Sequence, residues 1–141
     1  MTIVDSGSEK DRVVLTSREM DVMNVLWTLG SGTVSEVQAG LEDELAYTTV
    51  LTILRTLEKK GHVEHQAEGR AHRYFPLVEK ETAQGSAVRR MVRKLFSGSP
   101  ELLMTQLLSQ RGLSDEQLRR LRSLVDERLE LEEDDAGEDD G

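Results

Sequence analysis

Between residues 13 and 131 apolar side chains recur at helical spacing in six stretches, interrupted by one short region where the period changes. Thr16-Ser17-Arg18-Glu19 sets a hydroxyl at an N-cap and a glutamate three residues on, a capping box that satisfies free backbone N–H groups of a first helical turn. Leu15 and Met20 stand as its hydrophobic staple. Met20, Met23, Leu26 and Trp27 follow as a stripe, and Gly30 can end the helix. Thr33-Val34-Ser35-Glu36 opens a second, short helix with Val34, Val37 and Leu41 inward, ending between Gly40 and Asp43. A third helix is predicted from Ala46 to Lys60, with Val50, Ile53, Leu54 and Leu57 on one buried face and Gly61 as its cap.

After Gly61 the pattern shortens. His62–Ala67 and Ala71–Phe75 read as two strands joined across Glu68-Gly69-Arg70, and Pro76 ends the second. Helical spacing returns from Leu77, with Val88, Met91, Val92, Leu95 and Phe96 as its stripe. Ser99-Pro100-Glu101 starts another helix, and the capping box Ser114-Asp115-Glu116-Gln117 starts a last one. Three helices followed by a hairpin is the winged helix-turn-helix order, in which the third helix enters a major groove and the hairpin lies along the phosphate backbone. The expected fold is therefore mostly α, with a flexible N-terminal tail (1–12), a winged-helix DNA-binding domain (13–77), a C-terminal helical dimerisation region (78–131) and an acidic, disordered tail (132–141).

Charge qualifies this picture only once it is located. The chain of 141 residues carries 18 basic and 27 acidic side chains, a net charge of −9. Residues 126–141 hold ten acids and one Arg, so the whole excess lies at the C-terminal end, where it should repel itself and stay solvated. Residues 46–76 carry five bases against three acids, so the local balance favours nucleic acid although the global one does not.

Opposite the buried stripe of the third helix lie Thr48, Thr52, Arg55 and Lys59, flanked by Thr49 and Thr56. Thr hydroxyls can donate to base edges or phosphates, Thr methyls can touch thymine methyls, and Arg can pair bidentately with guanine. Tyr47 at the helix start can reach a phosphate, as can Lys59 and Lys60 at its end and Arg70 and Arg73 on the wing. A Thr-rich face also occurs on ordinary exposed helices, and either wing arginine alone reads equally well as a plain surface charge.

Ala46-Tyr47-Thr48-Thr49-Val50 running on to Lys60-Gly61, then Glu68-Gly69-Arg70-Ala71-His72-Arg73-Tyr74-Phe75-Pro76, resembles the penicillinase and methicillin-resistance repressor family (BlaI/MecI/CopY type). Leu15-Thr16-Ser17-Arg18-Glu19-Met20 and Trp27 belong to the same match, which covers roughly residues 13–131. The resemblance implies a homodimeric transcriptional repressor whose winged helix binds a palindromic operator and whose C-terminal helices intertwine. It also implies groove reading by Thr48, Thr49, Thr52 and Arg55. The copper-responsive branch uses a C-terminal cysteine cluster, and this chain has no cysteine. The antibiotic-responsive branch is inactivated by a protease at an Asn-Phe bond in the dimerisation region; the nearest equivalent here is Gln106-Leu107, where an inducing protease would act.

The segment after Pro76 carries twelve leucines by residue 131, and its stripes need a partner surface. Val88, Met91, Leu95, Leu103, Leu107, Leu118, Leu121 and Val125 are the candidate dimer interface, the other option being that they pack back on their own winged helix. His62 and His65 are three apart in a strand and point to opposite faces, and only Glu64 and Glu68 are near to complete a metal site with His72, so the three histidines read as exposed or phosphate-facing. No Gly-rich phosphate loop, His-Glu-x-x-His or serine elbow is present, so neither an enzyme nor a cofactor is expected. No apolar run exceeds four residues, and residues 1–12 lack a secretory pattern, so the expected location is cytoplasmic. Two other functions fit the sequence: a winged-helix protein-interaction module that never touches DNA, and a regulator sensing a small molecule between wing domain and dimer helices.

Overall fold

A computed structural model describes residues 13–139, with side chains to 134. The proposed N-terminal tail, 1–12, lies outside the described residues. The helices α1 (Ser17–Leu29), α2 (Val34–Gly40) and α3 (Tyr47–Lys59) are followed by the strands β2 (Val63–Glu68) and β3 (Ala71–Pro76). Gly32–Thr33 forms an additional short strand, β1, that pairs with β3, giving the antiparallel order β1-β3-β2. The fold is a winged helix-turn-helix with further helices after it: α4 (Lys80–Leu95), α5 (Pro100–Ser109) and α6 (Asp115–Asp139).

Local chemistry explains the starts and stops. The Thr16 and Thr33 capping boxes both form, with the Glu19 N–H donating to Thr16 Oγ1 and the Thr16 N–H to Glu19 Oε1. Gly30 (φ +88°) and Gly61 (φ +82°) take the left-handed conformation that closes α1 and α3. Val22, Met23, Leu26, Val37, Val50, Leu54 and Leu57 are fully buried beneath Tyr74 and Val63 of the sheet. Each contributes roughly 1.5–3 kcal/mol by leaving water. Within α1 the inward stripe differs from expectation by one residue: Met20 is exposed, and Val22 holds the core position.

The first compact unit extends beyond residue 77, through α4 to Gly98. Three contacts account for this. Trp27 Nε1–H donates to the Val78 carbonyl at 2.9 Å, the fully buried Ser86 hydroxyl donates to the Val13 carbonyl at 2.9 Å, and Ala83 joins the core. The second unit holds α5 and α6, and neither has a buried side chain among its described residues. The expected disorder from 132 is not what the structure has: α6 continues to Asp139. Glu132 and Glu133 are good helix formers that carry α6 on from Leu131, and Arg128 pairs with Glu132 at 3.1 Å one turn on.

At the join of α1 and α3 the Lys60 ammonium meets the Glu19 carboxylate at 2.7 Å, and Glu19 is only 4% exposed. Burial pushes the Glu19 carboxyl up, but the Lys60 bond and charge and the Thr16 hydrogen bonds outweigh it and hold it below its ordinary value of 4.5. Beside them His62 is buried, and burial, then the Lys60 charge, lower its affinity for a proton from the ordinary 6.5. Both shifts favour folding at neutral pH. The His62 contribution is complete above 6.5 and declines as the pH falls below it, whereas the Glu19 contribution is complete above 4.5 and declines below that. The melting temperature, followed from about pH 8 to about pH 2, should therefore fall in two steps, and His62→Gln should remove the upper one. A wild-type protein with no upper step would contradict this assignment.

Candidate nucleic-acid interface

The third helix is presented by its buried stripe. With Val50, Leu54 and Leu57 inward, Tyr47, Thr48, Thr49, Thr52, Arg55, Thr56 and Lys59 are all exposed. The α3 N-terminus has Ala46 at the N-cap, with no side-chain cap bond and no acid in its first turn, so the free N–H groups and the positive end of the helix dipole face outward unneutralised. The side chains of Arg55, Lys59 and Arg70 make no hydrogen bond or ion pair among the described residues. Arg70 follows Gly69 (φ +61°) in the two-residue turn of the wing, where glycine takes the positive φ that the turn requires.

The threonines are arranged differently from the sequence-based expectation. The Thr52 hydroxyl donates to the Thr48 carbonyl at 2.9 Å, and the Thr56 hydroxyl donates to the Thr52 carbonyl at 3.0 Å. Their protons are directed into the helix, so at these two positions the outer face offers methyl groups and oxygen lone pairs. Such a surface suits thymine methyls and exocyclic amines better than acceptor edges.

Two of the cations expected on phosphate are engaged inside the chain. Lys60 holds the buried Glu19, as above. Arg73 is only 23% exposed at its side chain and lies between two glutamates, its Nη1 2.9 Å from Glu36 Oε1 and its Nη2 3.0 Å from Glu68 Oε2. These hydrogen bonds from Arg73 hold both the Glu36 and the Glu68 carboxyls below the usual carboxylate range, and raise the Arg73 guanidinium in turn. Sequence spacing marks neither the Lys60 contact nor the Glu36 half of the Arg73 contact, because those partners lie 41 and 37 residues away, whereas Glu68 stands only five residues from Arg73.

The histidines also separate. His62 is buried rather than exposed. His65 Nδ1 lies 2.6 Å from Glu58 Oε2, which ties the wing to α3 and occupies the acid nearest the outer face of that helix. His72 stacks on His65 with ring centroids 4.5 Å apart. No group of three or more possible metal ligands occurs among the described residues.

The candidate dimer residues remain uncovered or half-covered in the single chain. Leu95 is 74% exposed and Val125 52%, Val88, Met91, Leu107 and Leu118 are exposed, and Leu103 and Leu121 are half-buried. Gln106-Leu107 lies within α5, so a protease cutting there must first unwind that helix. No helix among the described residues is long and apolar enough to cross a membrane.

Residues 15–127 match the family model described as penicillinase repressor. A transcriptional regulator BlaI of Mycobacterium tuberculosis is 35% identical over 107 residues, covering 72% of this chain and 78% of its own. The methicillin resistance regulatory protein MecI of Staphylococcus aureus is 21% identical over 118 residues, 81% of this chain and 94% of that one. Among solved structures, monomeric Bacillus licheniformis BlaI in complex with the blaP half-operator is similar at 31% identity and a TM-score of 0.43, over 49% of this chain and 87% of that chain.

Proposed function

The chain belongs to the penicillinase repressor family, and on that premise we propose that it is a cytoplasmic, homodimeric transcriptional repressor, without enzymatic activity, that binds a palindromic operator. The observation that carries this reading is the outer face of α3. Thr48, Thr49, Thr52 and Arg55 stand exposed there, the nearest acid, Glu58, is turned to His65, and Arg70 is exposed at the wing tip. Specificity comes from Thr48, Thr52 and Arg55 in the major groove. Non-specific affinity comes from Lys59, Arg70, Tyr47 and the uncapped α3 N-terminus on phosphates. Dimerisation through the exposed stripes of α4, α5 and α6 sets two α3 helices on half-sites about one turn of DNA apart.

The test is binding to the protein's own promoter fragment against a scrambled duplex across a salt series. Lys59 and Arg70 from two protomers predict that log K falls against log salt with a slope of roughly −3.5, with the promoter preferred throughout. A slope near twice that would return Lys60 and Arg73 to the phosphate contacts. Equal or absent binding to both duplexes would overturn the repressor reading in favour of a protein-interaction module.

A further inference from the structure

The Arg73 guanidinium has five N–H bonds, and the structure gives every one an acceptor inside the chain. Nε–H donates to Glu68 Oε1 at 3.0 Å. Nη2 donates to Glu68 Oε2 at 3.0 Å and to Glu36 Oε2 at 3.1 Å. Nη1 donates to Glu36 Oε1 at 2.9 Å and to the Ser31 hydroxyl at 3.3 Å. Both carboxylates are thus held bidentately, the planar arrangement that guanidinium and carboxylate forks favour.

The positions of these partners matter as much as their number. Arg73 sits mid-strand in β3, paired with Gln66 of β2 and Thr33 of β1. Glu36 also accepts the Thr33 N–H at 3.2 Å, so it closes the α2 capping box with the same carboxylate that holds Arg73. Glu68 is the last residue of β2, immediately before the Gly69-Arg70 turn. One side chain therefore joins the start of α2 to the end of the wing. The three charges sum to −1, so the group as a whole does not attract phosphate, and Arg73 can reach one only by abandoning bonds it already makes.

We propose that Arg73 is a positioning residue rather than a phosphate ligand: with Glu36 and Glu68 it clamps the wing to α2 and so aims Arg70 at the DNA backbone. The assignment rests on the repressor reading above. It makes two acids requirements for binding a polyanion, the reverse of what charge alone predicts.

Because the two roles differ in sign, glutamine variants separate them. Glutamine at position 36 preserves the capping box, which accepts either residue at that place. If the clamp positions Arg70, the E36Q/E68Q protein binds the operator more weakly, on the order of tenfold, the loss of about one phosphate contact per protomer, even though two negative charges are gone. In that case R73Q weakens wild type but adds nothing in an R70Q background, since it acts through Arg70. In the free protein, amide hydrogen exchange over residues 64–73 accelerates in E36Q/E68Q while that of α3 is unchanged, which also shows that the variant is folded. Tighter operator binding by E36Q/E68Q, additive effects of R70Q and R73Q, or unaltered wing exchange would each overturn the clamp. Wild-type protein that fails to select the operator overturns the repressor reading itself, and the wild-type titration alone distinguishes that failure from the others.

Discussion

Replacing Leu121 and Val125 by aspartate will leave a monomer with an intact winged helix, and its operator affinity will fall by about 10²–10⁴. The basis is the contrast between the two compact units. The first has a core of fully buried side chains, whereas α5 and α6 bury none among their described residues. Helices of that length with apolar stripes do not stay uncovered in water. A second copy of the same stripe is the economical cover, because the interface of a symmetric dimer is self-complementary. Joining two half-site readers makes the second binding event intramolecular, and this is the gain that the monomer forfeits. Sedimentation equilibrium would report the mass and an operator titration the affinity, with the melting of the Trp27-containing unit as the folding control. Retention of the dimer with unchanged affinity would move the interface to Val88, Met91 and Leu95 of α4. Loss of folding in the first unit would show instead that α6 stabilises the winged helix of its own chain.

What could be read from the sequence follows the range over which each interaction acts. The capping boxes at Thr16, Thr33 and Ser114 involve residues three apart, and all three form. The α3 stripe shows in the periodicity because a helix repeats its own geometry. The Gly69 turn sets the hairpin register from two residues. What escaped depends on distant partners. Two residues are too few to show the alternation of a strand, so β1 appears only when Gly32 meets Tyr74. Lys60 and Arg73 look like free cations until the fold brings Glu19 and Glu36 to them. The first compact unit runs past residue 77 for the same reason, since the Val13 carbonyl and the Trp27 indole find their partners in the segment that follows the wing. Register offers one signal: with Gln66 opposite Arg73, Glu68 is the diagonal neighbour of Arg73, so that half of the clamp was in principle legible from the turn.

The second large effect falls on Arg55. Arg55→Ala should cost about 1–3 kcal/mol of operator affinity, concentrated at one base pair of each half-site, and should relax selectivity there. Three features single it out from the other cations. It lies mid-helix opposite the buried stripe, where a side chain on a groove-inserted helix meets base edges rather than the strand margins. It is exposed and its side chain makes no hydrogen bond or ion pair among the described residues, so its fork is available without breaking any contact. Its neighbours Thr52 and Thr56 have their hydroxyl protons turned inward, which leaves Arg55 as the strong donor on that part of the face. Guanine, with O6 and N7 both accepting in the major groove, is the base such a fork selects. Affinities for a panel of operators substituted one base pair at a time, wild type against Arg55→Ala, would show one position at which the wild type discriminates and the variant does not. A loss spread evenly over all sequences, with a shallower salt dependence, would instead assign Arg55 to the phosphate backbone and leave the threonine methyls to carry the specificity.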